Sequence, residues 1–278
     1  ANYVYEKDIN KKVVLCRDHG GPWQNNQEVA NKISLKEAMA SAKKSFESDI
    51  LSGFKIIHID PSIDIFEKPI LSNVLDRLFE LYEYCFELAK NKNKEILFEI
   101  GTEEQSGSTN TQEELEYTLS EVYKFCKKNK FPYPSFVVIQ SGTRVMETRN
   151  IGSFDSPFRI ENELPPEIQI PKMIEICKKF KIMMKAHNTD YLSNEALAWY
   201  PRLGIHSANI APEFGVEESK AFVSILRENN LSNLAEMFLE ISYKSMKWKK
   251  WIINEELVDD EKKGIICGHY NFSKKDFL

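Results

Sequence analysis

Strand-like and helix-like runs alternate along this chain, and that alternation limits its possible folds more than any other feature. Six short apolar runs are predicted as strands, at residues 13–16, 54–60, 95–101, 136–140, 182–186 and 207–210. Helices are predicted over residues 35–51, 71–90, 112–128, 171–180, 195–200 and 217–228, with a long closing helix over 231–251. Ser34 and Glu37 have the spacing of a capping box at the start of the first helix. Alternating β and α units imply a parallel sheet with helices packed against it.

Two architectures fit this pattern. Six units suit a doubly wound open sheet, and they equally suit a (β/α)8 barrel from which two units are missing. Neither G-x-G-x-x-G nor the P-loop pattern occurs, which weakens the case for a nucleotide-binding fold. A connection of about 25 residues follows the fourth strand, and we expect it to be functional or partly ordered because structureless loops of that length are unusual.

Composition removes several classes of function. The net charge of -5 over 278 residues provides no reason to expect a nucleic-acid partner. No apolar run is long enough to span a bilayer and no signal-peptide pattern opens the chain, so no membrane association is expected. The 5 cysteines are widely spaced and odd in number. We therefore predict reduced thiols in a cytoplasmic protein.

Polar residues follow nearly every predicted strand at its carboxyl end, which is the edge where parallel α/β proteins bind ligands. One such residue alone is more often a loop cap or a satisfied core group, but six strands sharing the feature indicate a catalytic mouth. Residues two apart on a strand share a face, so His58 lies with Asp60 and Lys185 with His187. The candidates are Arg17, Asp18, His19, His58, Asp60, Ser62, Glu99, Glu103, Gln140, Lys185, His187, Asn188, Asp190 and Asn209.

Two chemistries are open at this edge. His19 and His187 are candidate ligands of Zn²⁺ or another divalent metal, which takes three protein ligands and an open position in catalytic sites. Glu99, Glu103, His58 or Asp60 would complete the ligand set, and the sequence does not choose among them. A lysine inside a barrel can instead form a Schiff base with a carbonyl substrate. For Lys185, an ion pair with a nearby carboxylate is the favoured interpretation.

Five segments, in order and at similar spacing, resemble the Z-type subunit family of the class II tagatose-bisphosphate aldolases: RDHGGPWQ, GFKIIHIDPSID, EIGTEE, VVIQSG and KAHNTDY. The resemblance implies a TIM barrel in which the D-H-x-G-P segment follows the third strand. Residues 1–230 would then hold units 3–8, and residues 231–278 a closing helix and tail of the same domain. We expect about two further βα units in the full gene product, or another element in their place, because six units cannot close an eight-stranded barrel.

More distantly, the chain is similar to the catalytic class II ketose-bisphosphate aldolases. That similarity implies proton transfer by Asp18 and zinc binding by His19 and His187. The family's zinc-binding histidine on the sixth strand is absent, because the sequence there reads Gln140-Ser141-Gly142-Thr143. After the last strand, Glu213 stands where a phosphate would bind and would repel it, so a bisphosphate substrate is not expected.

The sequence therefore predicts a metal-dependent, aldolase-type lyase of carbohydrate metabolism that acts on a sugar phosphate or a related sugar. One alternative is a non-catalytic subunit that stabilises a separate tagatose-bisphosphate aldolase subunit, and another is a sugar isomerase or epimerase that uses the same enediolate chemistry. A homo- or hetero-oligomer is expected in each case. The predicted roles are catalysis by Asp18, Asp60 and Glu99, metal binding by His19, His187 and Glu103, and substrate binding by Arg17, Ser62, Gln140, Asn188, Asp190 and Asn209.

Overall fold

The computed structural model describes residues 2–8, 10–68, 70–101, 111–140, 142–153 and 164–274. The chain divides into two compact units. The first comprises Ala1–Gln140, Ile170–Lys185 and Gly204–Ser207, and the second comprises Ser141–Gln169, Ala186–Leu203 and Ala208–Leu278.

Helices and strands alternate as the sequence predicts. The strands are β1 (Cys16–Gly20), β2 (Ile56–Ile59), β3 (Leu97–Ile100), β4 (Phe136–Ile139), β5 (Arg144–Met146), β6 (Arg149–Ile151), β7 (Met183–Ala186) and β8 (Ser207–Ala208). The α-helices are α1 (Asn2–Lys7), α2 (Asn26–Ala30), α3 (Leu35–Leu51), α4 (Leu71–Asn91), α5 (Gln112–Asn129), α6 (Pro166–Phe180), α7 (Asn194–Leu203), α8 (Pro212–Glu228), α9 (Ser232–Lys244) and α10 (Asp260–Gly268). Short 3₁₀ helices cover Lys247–Trp251, Glu255–Leu257 and His269–Asn271.

One sheet of six strands has the order β1-β2-β3-β4-β7-β8. Each neighbouring pair from β1 to β4 is parallel. This sequential order is that of a half-barrel, with β1 and β8 at its two ends, and it confirms an α/β fold with a partial, TIM-like parallel sheet. A closed barrel of eight strands is not seen in the described part of the chain.

The strands of this sheet have an apolar face and a polar face. Ile57, Ile59 and Ile100 are completely buried on one face. His58 lies opposite Glu99 in the β2–β3 register, and both of these polar side chains are buried on the other face. Since successive residues of a strand point to opposite faces, the alternation of apolar and polar residues in the sequence decides which side chains share the second face.

Two α-helices begin with a capping box. Ser34 and Glu37 form the predicted capping box before α3, with the Ser34 side chain accepting from the Glu37 N–H and the Glu37 side chain accepting from the Ser34 N–H. Thr111 and Glu114 form a second one before α5. Each box satisfies two backbone donors that a helix start leaves unpaired.

The first strand lies further along the chain than predicted. Val13 and Val14 are more than half exposed, and the strand itself is the polar segment Cys16–Gly20. The apolar run therefore precedes the strand and does not form it.

The prediction of one closing helix over residues 231–251 is wrong. Helix α9 ends at Lys244, and Met246 has a φ of 56°, which lies in the left-handed region and ends a right-handed helix. The buried indole of Trp248 then donates to the carbonyl of Tyr243, which folds the following segment back onto α9.

The long connection after the fourth strand contains regular structure among its described residues. Strands β5 and β6 pair in an antiparallel hairpin within it. In the same unit, Val223 of α8 packs with Ala235, Phe238 and Leu239 of α9. Residue 230 lies between these two packed helices.

None of the described helices combines the length and apolar character that crossing a membrane requires. All 5 cysteines have free thiols.

Candidate functional site

The carboxyl ends of β1 and β2 bring together an imidazole and a buried carboxylate. His19 Nδ1 lies 2.6 Å from Asp60 Oδ2, and Asp60 is only 1% exposed. The Ser62 hydroxyl and backbone N–H also donate to Asp60. Burial disfavours both charges, but the hydrogen bond and the opposite charges outweigh it. The pKa of Asp60 is therefore lowered and the pKa of His19 is raised.

The backbone of the RDHGGPW segment makes this contact possible. His19 has a φ of 42°, and the β1–β2 register shifts between Arg17 and Gly20, as in a β-bulge. A Cβ placed on Gly21 would overlap the carbonyl group of Asp60. Glycine at that position thus lets the chain pass directly over the end of β2.

His58 connects this pair to a second carboxylate. Its ring is completely buried, and its Nδ1 accepts the His19 backbone N–H at 3.2 Å. The same Nδ1 lies 3.7 Å from Asp18 Oδ1 and 3.3 Å from Glu99 Oε1. Burial raises the pKa of Asp18, but the nearby imidazoles of His58 and His19 act more strongly and lower it to about 2. Asp18 is consequently ionised at neutral pH, with a side chain that is 53% exposed.

The other nitrogen of His58 faces Gly101. Nε2 is buried without a hydrogen-bond partner among the described residues, and a Cβ on Gly101 would lie 2.6 Å from it. Any side chain at position 101 would therefore displace the imidazole.

A buried ion pair completes the group in this unit. Lys185 Nζ lies 2.7 Å from Glu99 Oε1, and the two residues are 8% and 2% exposed. The interpretation of Lys185 as a lysine paired with a carboxylate, favoured by the sequence, is thus confirmed.

The donor atoms of Asp18, His19 and His58 lie within 4.8 Å of one another. Two imidazoles and a carboxylate form a donor set that suits Zn²⁺ and similar ions. The His19–Asp60 hydrogen bond is the outer contact that metal-binding histidines usually make, since a proton held on Nδ1 leaves Nε2 as the ligand atom. These residues fit a divalent metal, although a metal on His58 Nδ1 would replace the hydrogen bond from His19.

The predicted metal ligands differ in where the structure describes them. His19 belongs to the group, and His58, which the sequence offered as one of several further ligands, takes a place in it. Glu103 lies outside the described residues. His187 belongs to the second unit, where it is half-buried and its carbonyl accepts from the Thr143 hydroxyl.

Several predicted substrate-binding residues contact protein groups. The guanidinium of Arg17 binds Asp49 and Ser45 of α3, because Arg17 and Asp18 point to opposite sides of β1. Ser62 is bound to Asp60, and Gln140 is buried at the end of β4.

Asn188 and Asp190 lie in the loop after β7, and Asn209 follows β8, all in the second unit. Asp190 Oδ1 accepts the backbone N–H groups of Ala211 and Glu213 at the start of α8. Asn188 has a φ of 55°, and the Asn209 carbonyl accepts from Thr189. Burial and the nearby charge of Glu213 raise the pKa of Asp190 against the effect of those backbone donors.

His58 and Lys185 belong to this polar group, but the predicted roles omit them. The signal for both was the period-two pattern of their strands, which puts His58 beside Asp60 and Lys185 beside His187 on the polar face. That pattern does not reveal which residues of distant strands meet.

The fold defines a class of protein: a half-barrel α/β protein with a polar cluster at the carboxyl edge of its sheet. No family model matches the chain. A probable tagatose 6 phosphate kinase from Sinorhizobium meliloti 1021 is a similar solved structure, with a TM-score of 0.75 and 18% identity over 99% of this chain and 70% of that one. Fructuronate-tagaturonate epimerase UxaE from Cohnella laeviribosi, complexed with glycerol, has a TM-score of 0.56 and 12% identity over 99% of this chain and 63% of the other.

Identities this low show a shared fold and no more. The chain spans less than two thirds of the epimerase's length, at 63%.

Proposed function

We propose that this chain belongs to a sugar-metabolising enzyme that makes or breaks a carbon–carbon bond by metal-assisted aldol chemistry. The observation that supports the proposal is the group formed by Asp18, His19, His58 and Asp60 at the carboxyl ends of β1 and β2. It combines candidate metal ligands, a half-exposed carboxylate and a carboxylate-bound imidazole. The two similar structures carry names that refer to tagatose and tagaturonate, which agrees with a sugar substrate.

His19 and His58 would hold the metal together with Asp18. A divalent metal at this position would polarise the substrate carbonyl and stabilise the negative charge of the enediolate. Asp60 keeps the His19 ring in one orientation through the 2.6 Å contact with Nδ1. Asp18 has two oxygens, and the one that does not face the imidazoles can accept the proton of the cleaved hydroxyl.

The first test is the metal content of the purified protein after incubation with Zn²⁺, Co²⁺ or Mn²⁺ and removal of excess ion. Wild type should retain one equivalent, and His19→Ala and His58→Ala should lose it. His206→Gln is the matched control, because His206 is exposed and lies outside this group, with its ring accepting the Met184 N–H. Aldol cleavage, measured with a panel of ketose phosphates and free ketoses, should disappear with the metal. Equal metal content in all variants, or cleavage that survives its loss, would contradict the proposal.

A second function, as a subunit that stabilises a separate catalytic aldolase, is favoured by one feature. Gln140 ends β4 at 3% exposure, where the resemblance to catalytic aldolases leads one to expect an imidazole. If the purified chain shows neither metal nor cleavage but raises the thermal stability of a catalytic aldolase on mixing, this second function holds.

A further inference from the structure

A cavity of about 440 Å³ lies in the first unit, where Trp23, the loop that follows β2 and the helices α3 and α4 meet. Small-molecule sites have volumes of roughly 300–1,000 Å³, so this cavity can hold a small ligand. None of the described residues that line it belongs to the group of Asp18, His19 and His58. Its walls include aromatic, aliphatic, acidic and basic side chains, among them Trp23, Leu35, Phe66, Glu67, Asp76 and Arg77.

Trp23 and Phe66 form an apolar wall of this cavity. The Trp23 indole is 2% exposed and donates to the Ile33 carbonyl at 2.9 Å, so the ring is fixed in place. Phe66 meets the indole edge to face, with ring centroids 5.9 Å apart, but Phe66 itself is 60% exposed. An exposed phenyl ring beside a fixed indole offers an apolar surface to the side chain of a ligand.

Arg77 on α4 contributes a buried cation, which is 7% exposed. One terminal nitrogen donates to Asp64 at 2.6 Å and the other to the Ile63 carbonyl at 3.3 Å. The third nitrogen, Nε, is buried without an acceptor among the described residues. A buried charged donor without an acceptor destabilises the protein, and a carboxylate is the acceptor that a guanidinium binds most strongly. A ligand carboxylate would therefore satisfy Arg77.

Two carboxylates of the cavity carry uncompensated charge. Asp64 is paired with Arg77, and Glu80 is paired with Lys43 at 2.6 Å. Glu67 and Asp76 are exposed, and neither forms an ion pair with a cation in the part of the chain that the structure describes. Their charges attract an ammonium group and repel a ligand that is only an anion.

We infer that this cavity binds a free α-amino acid with an apolar side chain. Its carboxylate contacts Arg77, its ammonium group lies at Glu67 and Asp76, and its side chain packs on Phe66. A simple amine would leave Arg77 Nε without an acceptor, and a simple carboxylate would meet the two uncompensated acidic groups. The inference goes beyond the proposed function, because the site requires neither a metal nor a sugar.

Isothermal titration calorimetry on the metal-free protein, in the presence of EDTA, tests the inference. L-Phenylalanine and L-leucine should each bind saturably, at one equivalent. Phenethylamine lacks the carboxylate of phenylalanine and 3-phenylpropanoate lacks its ammonium group. Both should bind at least about tenfold more weakly than L-phenylalanine, since each loses one charge-assisted contact.

Variants identify the groups that the ligand contacts. Glu67→Gln should weaken L-phenylalanine about tenfold but not 3-phenylpropanoate, which has no ammonium group. Arg77→Lys should weaken L-phenylalanine and leave phenethylamine unchanged, because lysine keeps a cation beside Asp64 but lacks Nε and the planar guanidinium. Phe66→Ala should weaken all three compounds. Glu83→Gln is the matched control, since Glu83 is an exposed carboxylate of α4 outside the cavity, and it should bind like wild type.

Absence of saturable binding of both amino acids overturns the inference, as does equal binding of L-phenylalanine and its two analogues. Circular dichroism shows whether each variant is folded. Glu67 and Phe66 are exposed, so their variants decide the matter if Arg77→Lys does not fold. Amino-acid binding by a protein that retains no metal and cleaves no sugar would support this inference and contradict the proposed function. Metal-dependent cleavage without amino-acid binding would do the reverse.

Discussion

The contacts of the buried residue Asp60 have different consequences. Asp60 binds the imidazole of His19, the hydroxyl of Ser62 and, through its backbone carbonyl, the side-chain amide of Gln24. The first contact keeps a buried charge paired. The third, together with the close passage of Gly21, ties the RDHGGPW segment to the end of β2.

Asp60→Asn should reduce the free energy of unfolding by about 3 kcal/mol, because His19 loses its charged partner in a buried site. The pKa of Asp60 is lowered on folding, so its contribution is present above the unfolded pKa of 3.8 and is lost as pH falls through the folded pKa. The pKa of His19 is raised, so its contribution is complete below 6.5 and is lost as pH rises through the folded pKa. Urea unfolding should therefore show the largest difference from wild type between about pH 4 and 6.5.

Asp76→Asn on the exposed side of α4 is the control for that change and should be nearly neutral. A difference between Asp60→Asn and wild type that is the same from pH 4 to pH 9 would show that the charge pair is not the cause.

Gly21→Ala should destabilise the protein by about 3 kcal/mol, since its Cβ would overlap the backbone of Asp60, which cannot move aside as a flexible side chain can. Gly204→Ala is a useful comparison. Gly204 has a φ of 94°, but its nearest neighbour would be 3.7 Å from the new Cβ, so only backbone strain of about 1 kcal/mol is expected. Chemical denaturation of both variants measures the difference, and equal losses would contradict the close contact.

At the scale of elements, the start of α8 depends on a residue from another loop. Ala211 precedes this helix and has no side chain that can cap it. Asp190 does so instead, accepting two of the first N–H groups. The predicted substrate-binding carboxylate therefore has a structural use for at least one of its oxygens.

Asp190→Asn should leave stability at neutral pH unchanged or increase it, because an amide oxygen can accept the same two hydrogen bonds without a buried charge near Glu213. Asp190→Ala should lose about 2 kcal/mol, from two hydrogen bonds of about 1 kcal/mol each. Since the pKa of Asp190 is raised on folding, its own contribution is present below the unfolded pKa of 3.8 and is lost as pH rises through the folded pKa. The advantage of Asp190→Asn in urea unfolding should thus grow from pH 4 to pH 7, and a shrinking advantage would refute the assignment.

At the scale of the whole molecule, neither compact unit is a continuous piece of chain. The first unit takes β7 from residues beyond 140, and Glu99 depends on that strand for its partner Lys185. The second includes α8, α9 and α10, with Phe238 of α9 in the apolar cluster that also holds Val223 of α8. A truncated chain that keeps only one continuous stretch of residues therefore loses part of the apolar core of at least one unit.

A fragment ending at residue 230 should unfold at a lower temperature than the full chain and bind a hydrophobic dye, because α8 would lose the apolar side chains of α9. A fragment ending at residue 274 is the control and keeps every described helix. Differential scanning calorimetry and dye fluorescence give the comparison. If the fragment ending at 230 melts like the full chain, residues 231–278 are not part of the same folding unit.

Much of the fold could be predicted from local sequence. The alternation of elements and the capping box at Ser34 depend on patterns that act over a few residues. Predictions failed where tertiary contacts override them, as at Met246, whose left-handed backbone ends α9, and at Val13 and Val14, which lie outside the strand that their apolar character suggested.

The sequence by itself determined which side chains share a face of the sheet, because the period of a strand is two residues and needs no distant partner. The sequence alone therefore predicts that His58 shares a strand face with Asp60, and Lys185 with His187. Only the tertiary structure decided which of these faces meet: Lys185 finds Glu99 from 86 residues away, and His58 reaches Asp18. Such pairings depend on the order and register of strands and on backbone details such as the bulge at His19, which arise when the whole chain packs.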